Sequence, residues 1–113
     1  MKYKNELYEK EQNEIINKLI DILELEEQQY LILYNLDNNE SKQKLILDLI
    51  PNIRKYFSLS NVRGIKNPET LKRPWLSIIR QMLKQKYKII SKDHQITENG
   101  KKIRTKKYIF QEQ

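Results

Sequence analysis

Cationic side chains are concentrated in two stretches of the second half of the chain, one from Lys72 to Lys84 and one from Lys101 to Lys107. Lysine and arginine neutralise nucleic-acid phosphates, and arginine and glutamine also hydrogen-bond the edges of guanine and adenine. When such residues share one helix face or one hairpin, they predict a nucleic-acid-binding surface. The candidate residues are Lys72, Arg73, Ser77, Arg80, Gln81, Lys84, Lys101, Lys102, Arg104, Lys106 and Lys107.

The distribution of charge points in the same direction. The 113 residues carry a net charge of +7, but residues 1–40 hold four lysines and ten acidic residues, net −6, whereas residues 41–113 carry net +13. A change of sign along one chain predicts an acidic segment, either solvated or facing a partner, joined to a domain that binds polyanions. The simpler alternative is a domain with an arbitrary lysine-rich surface.

Residues that enzymes and metal sites need are scarce. There is no cysteine, and the single histidine, His94, has only Asp93 beside it as a ligand. Asp48 and Glu69 are isolated carboxylates, and no glycine-rich phosphate loop or nucleophile motif is present. We therefore expect no enzyme, no metal, no cofactor and no small-molecule substrate.

The chain also lacks the signals of a membrane or secreted protein. No stretch approaches the roughly 20 apolar residues of a membrane span, and the first residues, MKYKNELYEKEQNE, are too polar for a signal peptide. We expect an intracellular protein that is neither secreted nor in a membrane.

Periodicity predicts the first elements. Apolar residues spaced by three, four and seven indicate an amphipathic helix from Asn5 to Glu27. The aromatic and branched run from Tyr30 to Tyr34 indicates a strand, with an extension of the first helix as the alternative. Beyond it, a capping pattern at Asp37 to Glu40 starts a second helix near Asn38, which runs to Phe57 with a kink or break at Pro51.

The next segment mixes stop and start signals. Ser60 can cap a single turn that Gly64 ends, and Asn67 followed by Pro68 is a further helix start. Pro74 opens a third helix to about Lys86, with an apolar face that is expected to lie in the core. That face consists of Trp75, Ile78, Ile79, Met82 and Leu83. Trp75 is therefore expected to be a core residue rather than a platform on which a base stacks.

Two alternating runs on either side of Asn99 and Gly100 predict a β-hairpin after the third helix. A mainly α chain with a C-terminal hairpin is an α+β protein, and this order of elements is typical of a winged helix-turn-helix with an additional N-terminal helix. In that fold the third helix enters the major groove and the hairpin lies against the neighbouring backbone. The predicted organisation is an acidic helical arm, 1–29, and a basic winged-helix domain, 30–113.

Three stretches of the chain are YLILYNLDNNESKQKLILDLIPNIRKYF, KNPETLKRPWLSIIRQMLKQKYKIISKD and RTKKYIF. In these stretches the chain resembles a small domain of largely uncharacterised proteins from giant nucleocytoplasmic DNA viruses, of the mimivirus kind. The resemblance covers residues 30–110 and leaves out the first helix. It implies a viral DNA-binding module that acts in the cytoplasmic viral factory, in the nucleus or in the virion. It implies no particular functional residues.

Two functions and two roles for the first helix remain open. The chain either binds double-stranded DNA, as a regulator or a genome-associated factor, or serves as an adaptor whose winged helix contacts another protein. The first helix either pairs with a copy of itself in a homodimer or folds back on the basic domain.

Overall fold

The structure, a computed structural model, describes residues 2–57, 65 and 67–113. Its first helix, α1, runs from Lys2 to Leu23, and a second short helix, α2, covers Leu25–Gln28. Between them Glu24 adopts a left-handed conformation with φ 56°. Because successive residues of a helix point about 100° apart, this break allows both Leu23 and Leu25 to enter the core, where both are buried.

The apolar row of α1 is covered by the rest of the chain. Ile15, Ile16, Leu19, Ile20 and Leu23 are buried in one cluster with residues of the later helices and of the sheet. Two contacts with Tyr56 hold the first half of α1 in place. The Tyr8 ring packs edge-on against Tyr56 at 5.7 Å between centroids, and Gln12 Nε2 donates to the Tyr56 carbonyl at 2.6 Å.

Of the two alternatives for the first helix, the structure therefore has the one in which it folds back. A dimer through the same apolar row would require that row to leave the core. The division of the chain into 1–29 and 30–113 stays a prediction.

The run that was predicted as a strand from Tyr30 to Tyr34 is divided between two elements. Strand β1 covers Tyr30–Ile32, and helix α3 covers Leu33–Asp37. Leu33 and Leu36 are both buried, and residues three apart lie on the same side of a helix but on opposite faces of a strand. The need to bury this pair favours a helix at the point where the strand was expected to continue.

The predicted second helix is present as two pieces. Helix α4 covers Glu40–Leu47 and helix α5 covers Ile50–Tyr56. Asn39 caps α4, since its side chain accepts a hydrogen bond from the Lys42 amide at 3.1 Å, and the helix begins close to the predicted start near Asn38. The expected break is confirmed: Pro51 lies in the first turn of α5, where its missing N–H has no partner to lose.

The connection to the next helix is only partly described. The single turn predicted from Ser60 to Gly64 lies outside the described residues. Further on, Pro68–Thr70 forms a 3₁₀ turn, and Asn67 contributes its carbonyl, which accepts from Thr70 Oγ1 at 2.8 Å, rather than a side-chain cap.

Helix α6 covers Pro74–Leu83 and is followed by a long hairpin of β2, Tyr87–Glu98, and β3, Lys101–Glu112. Asn99 and Gly100 form the two-residue turn, with φ 53° and 78°, the left-handed values that a tight hairpin requires. Strand β1 adds to the other side of β3, so the sheet is antiparallel with the order β1-β3-β2.

The helices and one face of the sheet share a single hydrophobic core. All five residues of the predicted apolar face of α6 are buried, as are Tyr87, Tyr108 and Phe110 of the hairpin. The protein is thus a mixed α+β protein with a three-stranded antiparallel sheet and a C-terminal hairpin. Among the described residues, no helix is long and apolar enough to cross a membrane.

Candidate nucleic-acid interface

Helix α6 presents its polar residues away from the core. Because its buried residues occupy one face, Ser77, Arg80, Gln81 and Lys84 fall together on the opposite side at the three- and four-residue spacing of neighbours on a helix. Arg80 and Lys84 are exposed, and Ser77 and Gln81 are half-buried. Four of the predicted site residues therefore form one continuous surface.

A shallow depression of about 550 Å³ separates this surface from the base of the hairpin. Ser77, Arg80, Gln81 and Lys84 line it from the helix side. The opposite side is formed by residues near the start of β2 and the end of β3, and its lining is Tyr87, Lys88, Ile89, Ser91, Tyr108 and Gln113. The exposed side of α6 and the hairpin thus form the two walls of one concave surface.

The register of the hairpin decides which of its cations share that surface. Directly opposed residues of an antiparallel pair lie on the same face of a sheet. Ile89 opposes Phe110 and Ser91 opposes Tyr108, so these residues define the face that packs on the helices, which we call the core face. Its remaining members toward the tip are Asp93, Gln95, Thr97, Lys102, Arg104 and Lys106.

Three predicted cations therefore continue the wall of the depression. Lys106, Arg104 and Lys102 follow Tyr108 at intervals of two residues, which keeps them on the core face. At about 3.3 Å per residue, Arg104 lies about 13 Å along the strand from Tyr108. Because all three are exposed, the core face is basic where it projects beyond the helices.

Two other predicted cations are not brought to this surface. Lys101 opposes Glu98 and Lys107 opposes Lys92, which puts both on the other side of the sheet, here called the outer face. Lys107 is further occupied there, since its Nζ lies 4.5 Å from the centre of the Tyr30 ring. Such a contact stabilises the ammonium group where it is.

Two of the predicted site residues, Arg73 and Lys106, contact carboxylates. Arg73 Nε lies 3.0 Å from Asp37 Oδ1, which fastens the start of α6 to α3, whereas Lys72 is exposed. On the core face Lys106 donates to Asp93. This hydrogen bond lowers the pKa of Asp93 and raises the pKa of Lys106, with the attraction between the two charges as the second cause.

Strand alternation was the signal that sequence reasoning left unused. It separates Lys101 and Lys107 from the other hairpin cations and groups Ser91 and Tyr108 with those others, whereas the tertiary structure decides which of the two faces lies beside the helix. His94 is half-buried on the outer face. In the part of the chain that the structure describes, no group of three or more His, Cys, Asp or Glu residues could hold a metal ion.

Comparisons with known proteins give no assignment: no family model matches the chain, and no curated protein or solved structure matches it either.

Proposed function

We propose that this chain is a winged-helix protein that binds double-stranded DNA, with α6 as the recognition helix and the core face of the hairpin as the wing. In the setting that the viral resemblance implies, it would act as a regulator or as a genome-associated factor. The observation that carries the proposal is the depression between the polar side of α6 and the base of the hairpin, together with three exposed cations further along the same face of the hairpin.

The order of elements supports this assignment. A winged helix consists of a helix, a short strand, two further helices and a hairpin whose return strand pairs with the first strand. The described elements include that order, with α4 and α5 together in the place of the second helix, β1 paired to β3, and the short helices α2 and α3 as additional elements. In such a fold the exposed side of the last helix faces the major groove.

Some side chains of this surface suit contacts with bases, and others suit contacts with phosphates. Arg80 and Gln81 are the α6 side chains with the hydrogen-bonding geometry to read base edges. Lys84 and Lys72, which are exposed, suit phosphates flanking the groove. Lys102, Arg104 and Lys106 would follow the backbone next to the groove and supply affinity that does not depend on sequence.

A salt titration tests the proposal. The full chain is titrated against a fluorescent random duplex, and against single-stranded DNA and RNA of the same sequence, from low to physiological ionic strength. We expect the duplex to bind most tightly, and its affinity to fall steeply with salt because several counterions are released. If the duplex does not bind at low salt, DNA binding is rejected and the adaptor function takes its place.

A further inference from the structure

Strand β2 is an open edge of the sheet. The strand order β1-β3-β2 places it at one side, and its twelve residues pair only with β3 among the described residues. An edge strand presents a row of backbone N–H and C=O groups that a further strand can pair with. Proteins use such edges to bind extended peptides by adding a strand.

Two hydrogen bonds identify which backbone groups point outward. The Gln113 amide donates to the Lys86 carbonyl, so the even-numbered residues of β2 face β3. The Phe110 amide donates instead to the Gln29 carbonyl, away from its opposed residue Ile89. Hydrogen-bonded and non-hydrogen-bonded pairs of opposed residues alternate along an antiparallel ladder. The backbone N–H and C=O groups of the odd-numbered residues of β2 therefore point away from β3. From Ser91, which lines the depression beside α6, toward the tip of the hairpin these residues are Ser91, Asp93, Gln95 and Thr97.

Apolar side chains and lysines lie next to one another on the outer face beside this edge. Four isoleucines stand there as opposed pairs, Ile90 with Ile109 and Ile96 with Ile103, and all four are half-buried. Between the pairs Lys92 opposes Lys107, whose ammonium group lies over the Tyr30 ring of β1, so Lys92 is the cation beside the open edge. A carboxylate placed next to Lys92 would pair with its charge.

We propose that β2 binds an extended acidic peptide segment of another protein, which adds as a fourth strand along Ser91–Thr97 and places apolar residues beside the isoleucines of the outer face. Apolar residues of the segment pack beside Ile90 and Ile96, and its carboxylates lie beside Lys92. Two registers of antiparallel pairing with a second copy of β2 are unfavourable, because a register centred on Lys92 would oppose two lysines and a register centred on Asp93 would oppose two aspartates.

The blocked peptide Val-Thr-Glu-Thr-Glu-Thr-Val is a suitable probe. Aligned antiparallel to β2, it sets its valines opposite Ile96 and Ile90 and its glutamates opposite His94 and Lys92. Titration of the full chain, without DNA and followed by amide NMR, should give saturable shifts along β2. Amide exchange at the outward-pointing odd residues Ser91 to Thr97 should slow when the peptide is bound. The same peptide with lysine in place of both glutamates should bind about fivefold more weakly, or worse.

Two variants test the geometry and the charge separately. Gln95→Pro removes an outward N–H but leaves the hydrogen bonds to β3, and strand edges tolerate proline. This variant should abolish the slowed exchange. Gln95→Thr keeps the N–H and should bind the peptide like the native chain. Lys92→Glu is a surface change that should invert the preference between the two peptides. Equal binding of both peptides by the native chain, or unchanged exchange at Ser91–Thr97 under saturation, would overturn the proposal.

Discussion

Arg80 is one of the two α6 residues to which the proposed function assigns base recognition. It is exposed and lines the depression beside the hairpin, so its replacement should leave the fold intact. Arg80→Ala should cost about 1–3 kcal/mol of binding free energy if Arg80 is bidentate to a guanine, with the loss confined to sites that carry this base. Competition binding with duplexes varied at single positions measures the effect.

The exposed Lys18 on α1 provides a control, since Lys18→Ala removes one positive charge far from the concave surface in sequence and on another helix. An equal loss on all duplexes would make Arg80 a phosphate contact. A lowered melting temperature without any loss of binding would contradict its assignment to the exposed side.

In the proposed complex, Asp93 would limit how strongly Lys106 attracts phosphate, because Lys106 already donates to Asp93. The hydrogen bond between them holds the pKa of Asp93 below its usual value, so the pair stays formed above the ordinary carboxyl pKa and is lost as the pH falls through the lowered one. Asp93→Asn should therefore tighten duplex binding at neutral pH and steepen its salt dependence by about one counterion.

The matched control is Glu98→Gln, which removes the same charge from the outer face and should not change the slope beyond the general effect of net charge. If both variants behave alike, Lys106 is not a phosphate contact. Because both partners of the pair are exposed, we expect only a small effect of Asp93→Asn on stability.

At the scale of elements, the two faces of the hairpin are expected to differ in function. Replacing Lys102, Arg104 and Lys106 by glutamine should weaken binding to every duplex and lower the salt slope by about 0.9 for each lost contact. Replacing Lys101 and Lys107 on the outer face should lower it by much less. Salt titrations of both variants measure the difference, and equal slopes per removed charge would show that the core face has no special role.

At the scale of the whole molecule, α1 belongs to the core. Leu19 is fully buried among residues of the later helices, so Leu19→Ala should lower the free energy of unfolding by about 2–5 kcal/mol. The exposed position Glu14→Ala should change it by less than about 0.5 kcal/mol. Chemical denaturation followed by circular dichroism provides both values.

The burial of the apolar row of α1 also leads to predictions about the domain organisation and the oligomeric state of the chain. A chain that begins at Gln28 loses the buried row of α1, and we expect it not to unfold cooperatively. Light scattering of the full chain should give the mass of a monomer, because the apolar row is already covered. A folded truncated chain would support the division at residue 29, and a full-length dimer would show that α1 has a further exposed contact.

Local patterns were sufficient for much of this fold. The apolar face of α6, the break before Pro51 and the Asn99-Gly100 turn follow from short-range rules on periodicity, missing donors and left-handed conformation. For the same reason the polar residues Ser77, Arg80, Gln81 and Lys84 were grouped correctly: helical spacing alone determines that they share a side.

Contacts between distant segments decided the rest. Periodicity shows that α1 has an apolar row, but it does not show what covers that row. Periodicity also predicts one element from Tyr30 to Tyr34, although Leu33 and Leu36 both face the core and are divided from β1 by the start of α3. The sharing of a surface by α6 and three of the five wing cations depends on which hairpin face packs on the helices. Only the burial of Tyr87, Tyr108 and Phe110 determines that choice, because the two faces of an isolated hairpin are otherwise free to exchange roles.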